Sequence, residues 1–216
     1  MPKLQCEALL LDMDGTLVDS NAVVDHVLSL FASKYGLELD EVKARAHGMR
    51  TIDLMTHYLG ESMLAKEEAD YFEGYEEENV GGVIAKAGAR DLLAAVPEAR
   101  KALVTSAGEV LARRRMAAAG LPLPETAVYA EDAQPGKPHP LCYELGAARL
   151  GVNASRCVAI EDAATGIAAA LAAGAVVLNV GQPLERTHPR LINITGLDEL
   201  GVQERDDSLE VVYVER

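Results

Sequence analysis

Two aspartates stand at the end of an apolar run near the start of the chain. The stretch ALLLDMDGT places Asp12 and Asp14 directly after the apolar residues 8–11. Because side chains alternate along a strand, the two carboxylates begin on the same side and Met13 points to the other. Carboxylates so placed can attack an electrophile, carry a proton or bind a hard cation. The pair is the first candidate for chemistry in the sequence.

Further polar side chains follow later apolar runs, at the point where each run stops: Thr105, Ser106, Glu161 and Asp162. Lys137 lies in the proline-rich loop PGKPHP. In an open parallel sheet, ligands bind beyond the carboxyl ends of the strands. If these runs are strands of one such sheet, four acids, one lysine and two hydroxyls converge at one edge. Each residue alone has an ordinary structural explanation, but their conjunction indicates a functional site.

The rest of the chain supplies the strands and helices that such a site needs. Short apolar runs alternate with helical patterns at residues 101–104, 127–130, 157–162, 175–180 and 191–194. Continuous apolar runs separated by helices indicate a parallel sheet that is covered on both faces. Right-handed crossovers then predict a doubly wound parallel-sheet α/β core, to which the first strand at residues 7–12 also belongs.

Residues 21 to about 87 differ, because no strand signal interrupts their helical patterns. The stretch NAVVDHVLSLFASKYG places Val27 and Phe31 on one helical face, with Ser20 as a plausible N-cap. Asp19 is interpreted as a capping residue at the start of that helix. The acidic stretch KEEADYFEGYEEEN is interpreted as a solvated helix face rather than a cation site.

These patterns predict a helical cap domain that is inserted into the α/β core. We place the cap at residues 20–87 and the core at residues 1–19 and 88–216. The last stretch, RDDSLEVVYVER, is compatible with an added edge strand and with a loose end, and the sequence leaves both open.

The composition is that of an ordinary soluble globular protein, with 49% hydrophobic and 25% charged residues among 216. The net charge of −14 argues against nucleic acid or an anionic membrane as a partner, because both require a basic face. Cys6, Cys142 and Cys157 show no paired spacing, which favours reduced thiols. Residues 1–15 lack a signal-peptide pattern, and Gly174 breaks the longest apolar stretch. We therefore expect a cytoplasmic protein.

Four short motifs resemble those of the haloacid-dehalogenase-like (HAD) hydrolase superfamily. DMDGT looks like its first motif, VTSA like its second, GKPHP like its third and VAIEDAATGI like its fourth. They occur in the family's order between residues 8 and 170, so the resemblance covers nearly the whole chain. The helical segment after the first motif is similar to the small helical cap of the sugar-phosphatase, glycerol-3-phosphatase and β-phosphoglucomutase-like branch. The resemblance implies a Rossmann-like HAD core with an inserted helical cap.

The resemblance also implies a role for each residue at the strand ends. Asp12 resembles the family's nucleophile, which attacks phosphorus to give an aspartyl-phosphate. Asp14 would protonate the leaving alkoxide and then deprotonate the water that hydrolyses the intermediate. The hydroxyl of Thr105 and the backbone N–H of Ser106 would hold the phosphoryl oxygens. Lys137 would supply positive charge.

A Mg²⁺ cofactor is implied as well, since a carboxylate that attacks a phosphate dianion needs cations beside it. Its ligands would be oxygens of Asp12 and Asp162 and the backbone carbonyl of Asp14. Glu161 would bind the ion or lie next to its ligands. Thr16 is expected to steady Asp14.

Substrate selection is expected at the cap. The stretch AHGMRTIDLM resembles the substrate-specificity loop of sugar and glycerol phosphatases, so His47, Gly48 and Arg50 would face the core site. Arg50 could contact the substrate's phosphate or a second anionic group with both arms of its guanidinium, or it could be a solvated arginine at a helix start. His47 could equally end the preceding helix. Thr16 and Ser106 complete the predicted substrate-binding set.

The resemblance therefore predicts a Mg²⁺-dependent phosphatase that hydrolyses a small phosphorylated sugar or polyol through an aspartyl-phosphate. Asp14 favours an oxygen leaving group over a halide, which needs no proton. A phosphomutase of the β-phosphoglucomutase type is the alternative, and a non-enzymatic binding protein on the same fold is a weaker one. We expect a small phosphorylated metabolite as the partner and a monomer or weak homodimer.

Overall fold

The structure is a computed structural model that describes residues 1–185 and 188–216 of the chain. Its strands are β1 (Lys3–Cys6), β2 (Ala8–Leu11), β3 (Val18–Asp19), β4 (Ile84–Ala85), β5 (Lys101–Val104), β6 (Thr126–Val128), β7 (Cys157–Glu161), β8 (Val176–Asn179), β9 (Leu191–Asn193), β10 (Gly201–Arg205) and β11 (Ser208–Val212). Its α-helices are α1 (Asn21–Tyr35), α2 (Leu39–Ala46), α3 (Thr51–Leu59), α4 (Met63–Glu78), α5 (Ala89–Ala95), α6 (Glu109–Ala118), α7 (Leu141–Arg149) and α8 (Ala164–Ala172). Single turns of 3₁₀ helix occur at Glu98–Arg100, Ala154–Arg156 and Leu197–Glu199.

The central layer, as formed by the described residues, is a six-stranded parallel sheet with the order β6-β5-β2-β7-β8-β9. β2 lies between β5 and β7, with Leu11 opposite Leu103 on one side and Ile160 on the other. Helices connect most of the consecutive parallel strands, which confirms the predicted doubly wound α/β core. Because β2, β5 and β7 are neighbours, the residues that follow them meet at one edge of the sheet.

Both faces of β2 are buried, because its alternate residues belong to two different apolar cores. Leu9 and Leu11 pack with residues of α5 and α6, whereas Ala8 and Leu10 pack with residues of α7 and α8. A fully buried leucine side chain contributes about 1.5–3 kcal/mol relative to an exposed one. The two layers of helices are thereby fixed against the strand that carries the aspartate pair.

The last stretch of the chain is not a loose end: it forms β11, and its final residues reach the edge of the six-stranded sheet, where the N–H of Arg216 donates to the carbonyl of Asn193 in β9 at 2.9 Å. β11 is the middle strand of a separate antiparallel sheet with the order β1-β11-β10. Leu209 and Val211 are buried against the main core, whereas Glu210 between them pairs with Lys3 at 3.1 Å. This alternation gives the strand one apolar face, which is typical of antiparallel sheets with one solvated side.

Helices α1–α4 form a separate apolar core, and they lie between β3 and β4 in the chain. This core contains the buried Phe31 and Phe72, whose rings meet edge to face. β3 and β4 pair antiparallel, with Val18 opposite Ala85. The two connections to the helical segment therefore lie side by side. The domain boundaries given above stay a prediction.

Ser20 occupies the N-cap position of α1, as predicted, but its side chain does not cap the helix. Its hydroxyl donates instead to Asp14 Oδ1 at 2.6 Å. A carboxylate is a strong acceptor for such a donor, and it lies within reach of the hydroxyl. The N–H of Asn21 is bonded to Asp19 Oδ1 at 3.1 Å, so Asp19 supplies a side-chain acceptor at the start of the helix.

Among the described helices, none is both long enough and apolar enough to cross a membrane. Cys6, Cys142 and Cys157 are free and buried. Burial raises the pKa of the Cys6 thiol to about 11 and that of Cys157 to about 12. Since the thiolate is the reactive form, these two thiols are packing groups rather than nucleophiles.

Candidate active site

A buried ion cluster forms where the central strands end. Lys137 Nζ donates to Asp12 Oδ1 at 2.7 Å and to Glu161 Oε1 at 2.6 Å. It also donates to the carbonyl of Val104, the last residue of β5, at 3.3 Å. Burial alone would favour the neutral amine, but the carboxylates of Asp12 and Glu161 raise the pKa of Lys137, so it is cationic. Residues from three strand ends and one loop are thus joined by a single ammonium.

Glu161 is held by four hydrogen bonds. Its Oε1 accepts from Lys137 and from the hydroxyl of Tyr143, the latter at 2.7 Å. Its Oε2 accepts from the backbone N–H groups of Asp162 at 3.0 Å and Ala163 at 3.2 Å. With these bonds made, Glu161 is better placed to orient Lys137 than to bind a cation with both oxygens.

Three carboxylates could nevertheless hold a metal ion. Asp12, Glu161 and Asp162 each offer an oxygen, and these oxygens lie within 4.8 Å of one another. Burial and the neighbouring Glu161 carboxylate raise the pKa of Asp12 well above its ordinary value and that of Asp162 to about 7. One lysine cannot balance three clustered carboxylates, and an all-oxygen donor set fits a hard divalent cation such as Mg²⁺.

The sequence led us to expect that Thr16 would steady Asp14, but the structure gives Thr16 a different partner. Its side chain is fully buried and its hydroxyl donates to Asp162 Oδ1 at 3.3 Å. The chain turns sharply at Gly15, which has a positive φ of 83°, and a Cβ atom there would collide with the carboxylate of Asp162. Only glycine adopts such a conformation readily at so close an approach. The turn therefore sends Thr16 towards Asp162 and leaves Asp14 to other partners.

Asp14 is held by two side chains that the sequence did not single out as its partners. The hydroxyl of Ser20 donates to its Oδ1, and Arg115 Nη1 lies 2.9 Å from its Oδ2. Asp14 keeps 29% of its side-chain surface exposed, against 8% for Asp12. The two aspartates thus occupy different environments, since Asp12 is buried against a lysine and Asp14 is partly exposed.

The residues after β5 lie between the strand end and the cap. Thr105 is buried, and its Oγ1 accepts a hydrogen bond from the N–H of Ala107 at 3.0 Å. The hydroxyl of Ser106 donates to the carbonyl of Gly48 at 2.8 Å. The Ser106 side chain therefore anchors the loop between α2 and α3, residues 47–50, which we call the cap loop. The expected role of Ser106 in substrate binding would have to come from its backbone.

The cap loop packs tightly on the core. The hydroxyl of Thr165 at the start of α8 donates to the carbonyl of His47 at 2.7 Å. Gly48 has a positive φ of 74°, and a Cβ atom there would collide with the Thr165 hydroxyl. His47 and Gly48 are therefore placed at the core site by their backbone.

The guanidinium group of Arg50 donates hydrogen bonds to other residues of the protein. Its Nε donates to Asp53 Oδ2 at 2.7 Å and its Nη2 to Asp53 Oδ1 at 2.6 Å, which is a two-armed ion pair. Its Nη1 donates to the carbonyl of Ala133 at 3.0 Å, and the residue is 8% exposed. Arg50 lines the cavity but is not a solvated arginine, and its charge is already paired.

An open cavity lies between these groups and the cap. Asp12, Asp14 and Thr105 line it from the core, and apolar side chains such as Leu54 and Met55 line it from the cap. Its polar wall, with the two aspartates, is where a reacting group would sit.

Sequence reasoning missed Arg115, Glu76, Ser20 and Tyr143 as contributors to the site. Arg115 is the third of three consecutive arginines, and the sequence gives no sign that it is buried while Arg113 is exposed. Tyr143 occurs in a largely apolar helical stretch, which indicates core packing. No local signal distinguishes these residues, because their roles depend on contacts between distant segments.

Comparisons with known proteins place the chain among hydrolases. Residues 6–174 match a family model described as haloacid dehalogenase-like hydrolase. Over 196 residues the chain is 40% identical to hexitol phosphatase A of Escherichia coli, covering 87% of this chain and 88% of that protein. Over 191 residues it is 30% identical to glycerol-1-phosphate phosphohydrolase 2 of Saccharomyces cerevisiae, covering 82% and 75%. A crystal structure of β-phosphoglucomutase from Clostridium difficile has a similar fold, with a TM-score of 0.72 at 20% identity over 91% of this chain and 93% of that one.

Proposed function

This chain belongs to the haloacid dehalogenase-like hydrolase family, and we propose that it is a Mg²⁺-dependent phosphatase of a small phosphorylated polyol or sugar. Its reaction class is the hydrolysis of phosphoric monoesters. The observation that carries the finer proposal is the different placement of Asp12 and Asp14. Both line the cavity, but Asp12 is buried against Lys137 whereas Asp14 keeps 29% of its side-chain surface exposed.

This placement supports a division of labour between the two carboxylates. An oxygen of Asp12 forms a bond to phosphorus while the ester P–O bond breaks, which gives an aspartyl-phosphate. Asp14 donates a proton to the departing oxygen and later takes one from the water that attacks the intermediate. Lys137 and the hydroxyl of Thr105 lie at the same strand ends, where they would stabilise the phosphoryl oxygens.

Mg²⁺ would be held by oxygens of Asp12 and Asp162, and by the backbone carbonyl of Asp14 as the family resemblance implies. When bound, the cation offsets the charge of the carboxylates and of the phosphoryl group. Without it, the dianionic substrate would face carboxylates that a single lysine cannot neutralise. Burial first, and then the neighbouring carboxylate of Glu161, raises the pKa of Asp12 and of Asp162, and a bound cation would favour the ionised form of both.

The charges that line the cavity favour a substrate with an uncharged body. Within the described part of the chain, both guanidinium groups of the lining are already paired, Arg50 with Asp53 and Arg115 with Asp14. Acidic side chains also line it, including Asp25. A second anionic group would therefore meet no free cation at the cap. The names of the relatives, a hexitol phosphatase and a glycerol-1-phosphate phosphohydrolase, agree with a polyol monophosphate.

The same pairing argues against a phosphomutase. A mutase that moves a phosphoryl group between two positions of a sugar must hold a bisphosphate, and its second phosphate needs a cation of its own. Arg50 is the cap residue that could contact a second anionic group, but Asp53 neutralises it. A non-enzymatic binding protein does not require a buried lysine shared by Asp12 and Glu161, nor a second aspartate, Asp14, held by other residues.

A phosphate-release assay on purified protein with Mg²⁺ tests the proposal. The panel contains a hexitol monophosphate, a glycerol monophosphate, a phosphorylated sugar acid and a sugar 1-phosphate. We expect release from the two polyol esters with kcat/KM at least about 10-fold above that for the sugar acid, a difference of about 1.4 kcal/mol. Isomerised sugar phosphate with little free phosphate would contradict a hydrolase. No release from any ester would support the binding protein.

A further inference from the structure

Arg115 is buried at the contact between helix α6 of the core and helix α4 of the cap. Its Nη1 lies 2.9 Å from Asp14 Oδ2, and its Nη2 lies 3.0 Å from Glu76 Oε1. The side chain of Arg115 is 4% exposed and that of Glu76 is 9% exposed. One guanidinium therefore joins Asp14 of the core to a carboxylate of the cap.

The two carboxylates are what hold this arginine. Among the described residues, its Nε–H has no hydrogen-bond partner, so Arg115 is fixed through its two Nη groups. A buried charge is costly unless it is paired, and each member of this trio depends on the others for its pairing. Glu76 also lies in the last turn of α4, where the helix dipole disfavours a carboxylate. Arg115 compensates for that unfavourable position.

Asp14 is fixed at both of its oxygens by this arrangement. Ser20, the residue before α1, donates to Oδ1, and Arg115 is bound to Oδ2. A second contact ties the same two helices together, since Arg114 Nη1 donates to the carbonyl of Glu77 at 2.7 Å. The orientation of Asp14 is therefore set by groups on both sides of the contact between cap and core.

We propose that Arg115 is a positioning residue that holds Asp14 for proton transfer and couples it to the cap through Glu76. The inference rests on the proposed phosphatase mechanism, in which Asp14 gives a proton to the departing oxygen and later takes one from water. A displacement of α4 from α6 removes Glu76 from Arg115, so the guanidinium that orients Asp14 Oδ2 loses its second anchor. Asp14 is thus held in a fixed orientation only when α4 is packed on α6.

The test compares Arg115→Met with Arg113→Met, which removes an exposed arginine of the same helix. With a hexitol monophosphate, we expect Arg115→Met to lower kcat about 100-fold, the lower end of the usual contribution of general acid–base catalysis. KM should change less than about threefold, because substrate binding is not the function removed. Arg115→Lys keeps one charge and should recover part of kcat. Arg113→Met should behave as the wild type does.

p-Nitrophenyl phosphate separates positioning from a general structural loss. Its leaving group needs little protonation, so Arg115→Met should still form the aspartyl-phosphate and then hydrolyse it slowly. The expected result is a burst of about one p-nitrophenol per enzyme followed by a slow steady state, as covalent catalysis with a slow second step produces. Equal losses with both substrates and no burst would overturn the inference in favour of a structural role.

Arg115→Met leaves the Glu76 carboxylate buried without a partner, so the variant could fold poorly. The double variant Arg115→Met with Glu76→Gln removes that carboxylate charge and should regain thermal stability while keeping the loss of kcat. If the double variant is well folded and turns over as fast as the wild type, Arg115 does not position Asp14. A wild-type protein that releases no phosphate from any ester would instead refute the proposed function itself.

Discussion

Lys137 Nζ lies 2.7 Å from Asp12 Oδ1, although 125 residues separate the two in the chain. The same ammonium lies 2.6 Å from Glu161 Oε1, so one buried cation is shared by two carboxylates. Its charge cannot also balance Asp162, nor the phosphate dianion that the proposed reaction brings to the site. A further cation is therefore an electrostatic requirement of this chemistry, in agreement with the Mg²⁺ that we propose.

Mg²⁺ should stabilise the protein more at pH 8 than at pH 5.5. Burial and Glu161 raise the pKa of Asp162 from 3.8 to about 7, so the folded protein takes up a proton that the unfolded chain has released above pH 4. Without a cation, this contribution to stability is lost as the pH rises through about 7. Mg²⁺ competes with that proton, and at about 100 times its dissociation constant it adds about 2.7 kcal/mol.

Thermal unfolding in EDTA and in Mg²⁺ measures this effect. We expect the Mg²⁺-induced rise in Tm to reach about 5 °C at pH 8, as that free energy implies for a chain of this size, and to be small at pH 5.5. Asp162→Asn serves as the control, and it should abolish the rise at both pH values. An equal rise at both pH values would show that the cation does not compete with this carboxylate.

Tyr143→Phe should lower kcat about 10-fold, because the lost hydroxyl leaves Glu161 with one donor fewer and the orientation of Lys137 less fixed. The free energy of unfolding should fall by about 1–2 kcal/mol, as expected when a buried polar group loses its partner. Phosphate-release kinetics and urea unfolding measure the two quantities. Tyr71→Phe, at an exposed position of the cap, is the matched control. Unchanged kcat in Tyr143→Phe would mean that this hydroxyl has no role in the site.

Asp53→Asn should relax the preference for an uncharged substrate. Asparagine keeps the shape of the side chain but no longer neutralises Arg50, so the cap gains a free positive charge. We expect kcat/KM for a phosphorylated sugar acid to rise about 5-fold relative to that for a hexitol monophosphate, which corresponds to about 1 kcal/mol. Asp70→Asn, at an exposed position of the cap, should leave the ratio unchanged. A ratio that does not move in Asp53→Asn would show that charge pairing at Arg50 does not select the substrate.

The strand ends could be predicted from the sequence because the signal is local. Each apolar run and the polar residue that follows it, such as Asp12 after β2, occur within a few consecutive positions. A parallel sheet then brings these ends to one edge wherever the strands lie in the chain. The convergence of Asp12, Lys137 and Asp162 follows from fold class alone, and the structure places them together.

The partners of Asp14 could not be predicted, because they depend on packing between distant segments. Thr16 was expected to steady it on account of its nearness in sequence, but the turn at Gly15 directs that side chain elsewhere. Arg115 reaches Asp14 across the contact of α6 with α4, and nothing in an arginine run reveals such a contact. The expected cytoplasmic location and the monomer or weak homodimer stay predictions.

The pairing of the last stretch, residues 205–216, could not be predicted for a related reason. Its alternation of apolar and polar residues indicates a strand with one buried face, but not which sheet it joins. β11 pairs with β1, and this pairing joins the two ends of the chain. Leu4 lies opposite Val211 in that pair. Register of this kind is set by side-chain packing across the sheet, which one strand's sequence does not contain.

The central claim is that Asp12 is the nucleophile, and phosphate release by Asp12→Asn tests it most directly. Asparagine is nearly isosteric and can still accept a hydrogen bond from Lys137, so the variant should remain folded, as thermal unfolding can verify. With a hexitol monophosphate and Mg²⁺, we expect kcat to fall at least about 1,000-fold, about 4 kcal/mol of transition-state stabilisation. A folded Asp12→Asn protein that releases phosphate within about 10-fold of the wild-type rate would contradict the aspartyl-phosphate mechanism.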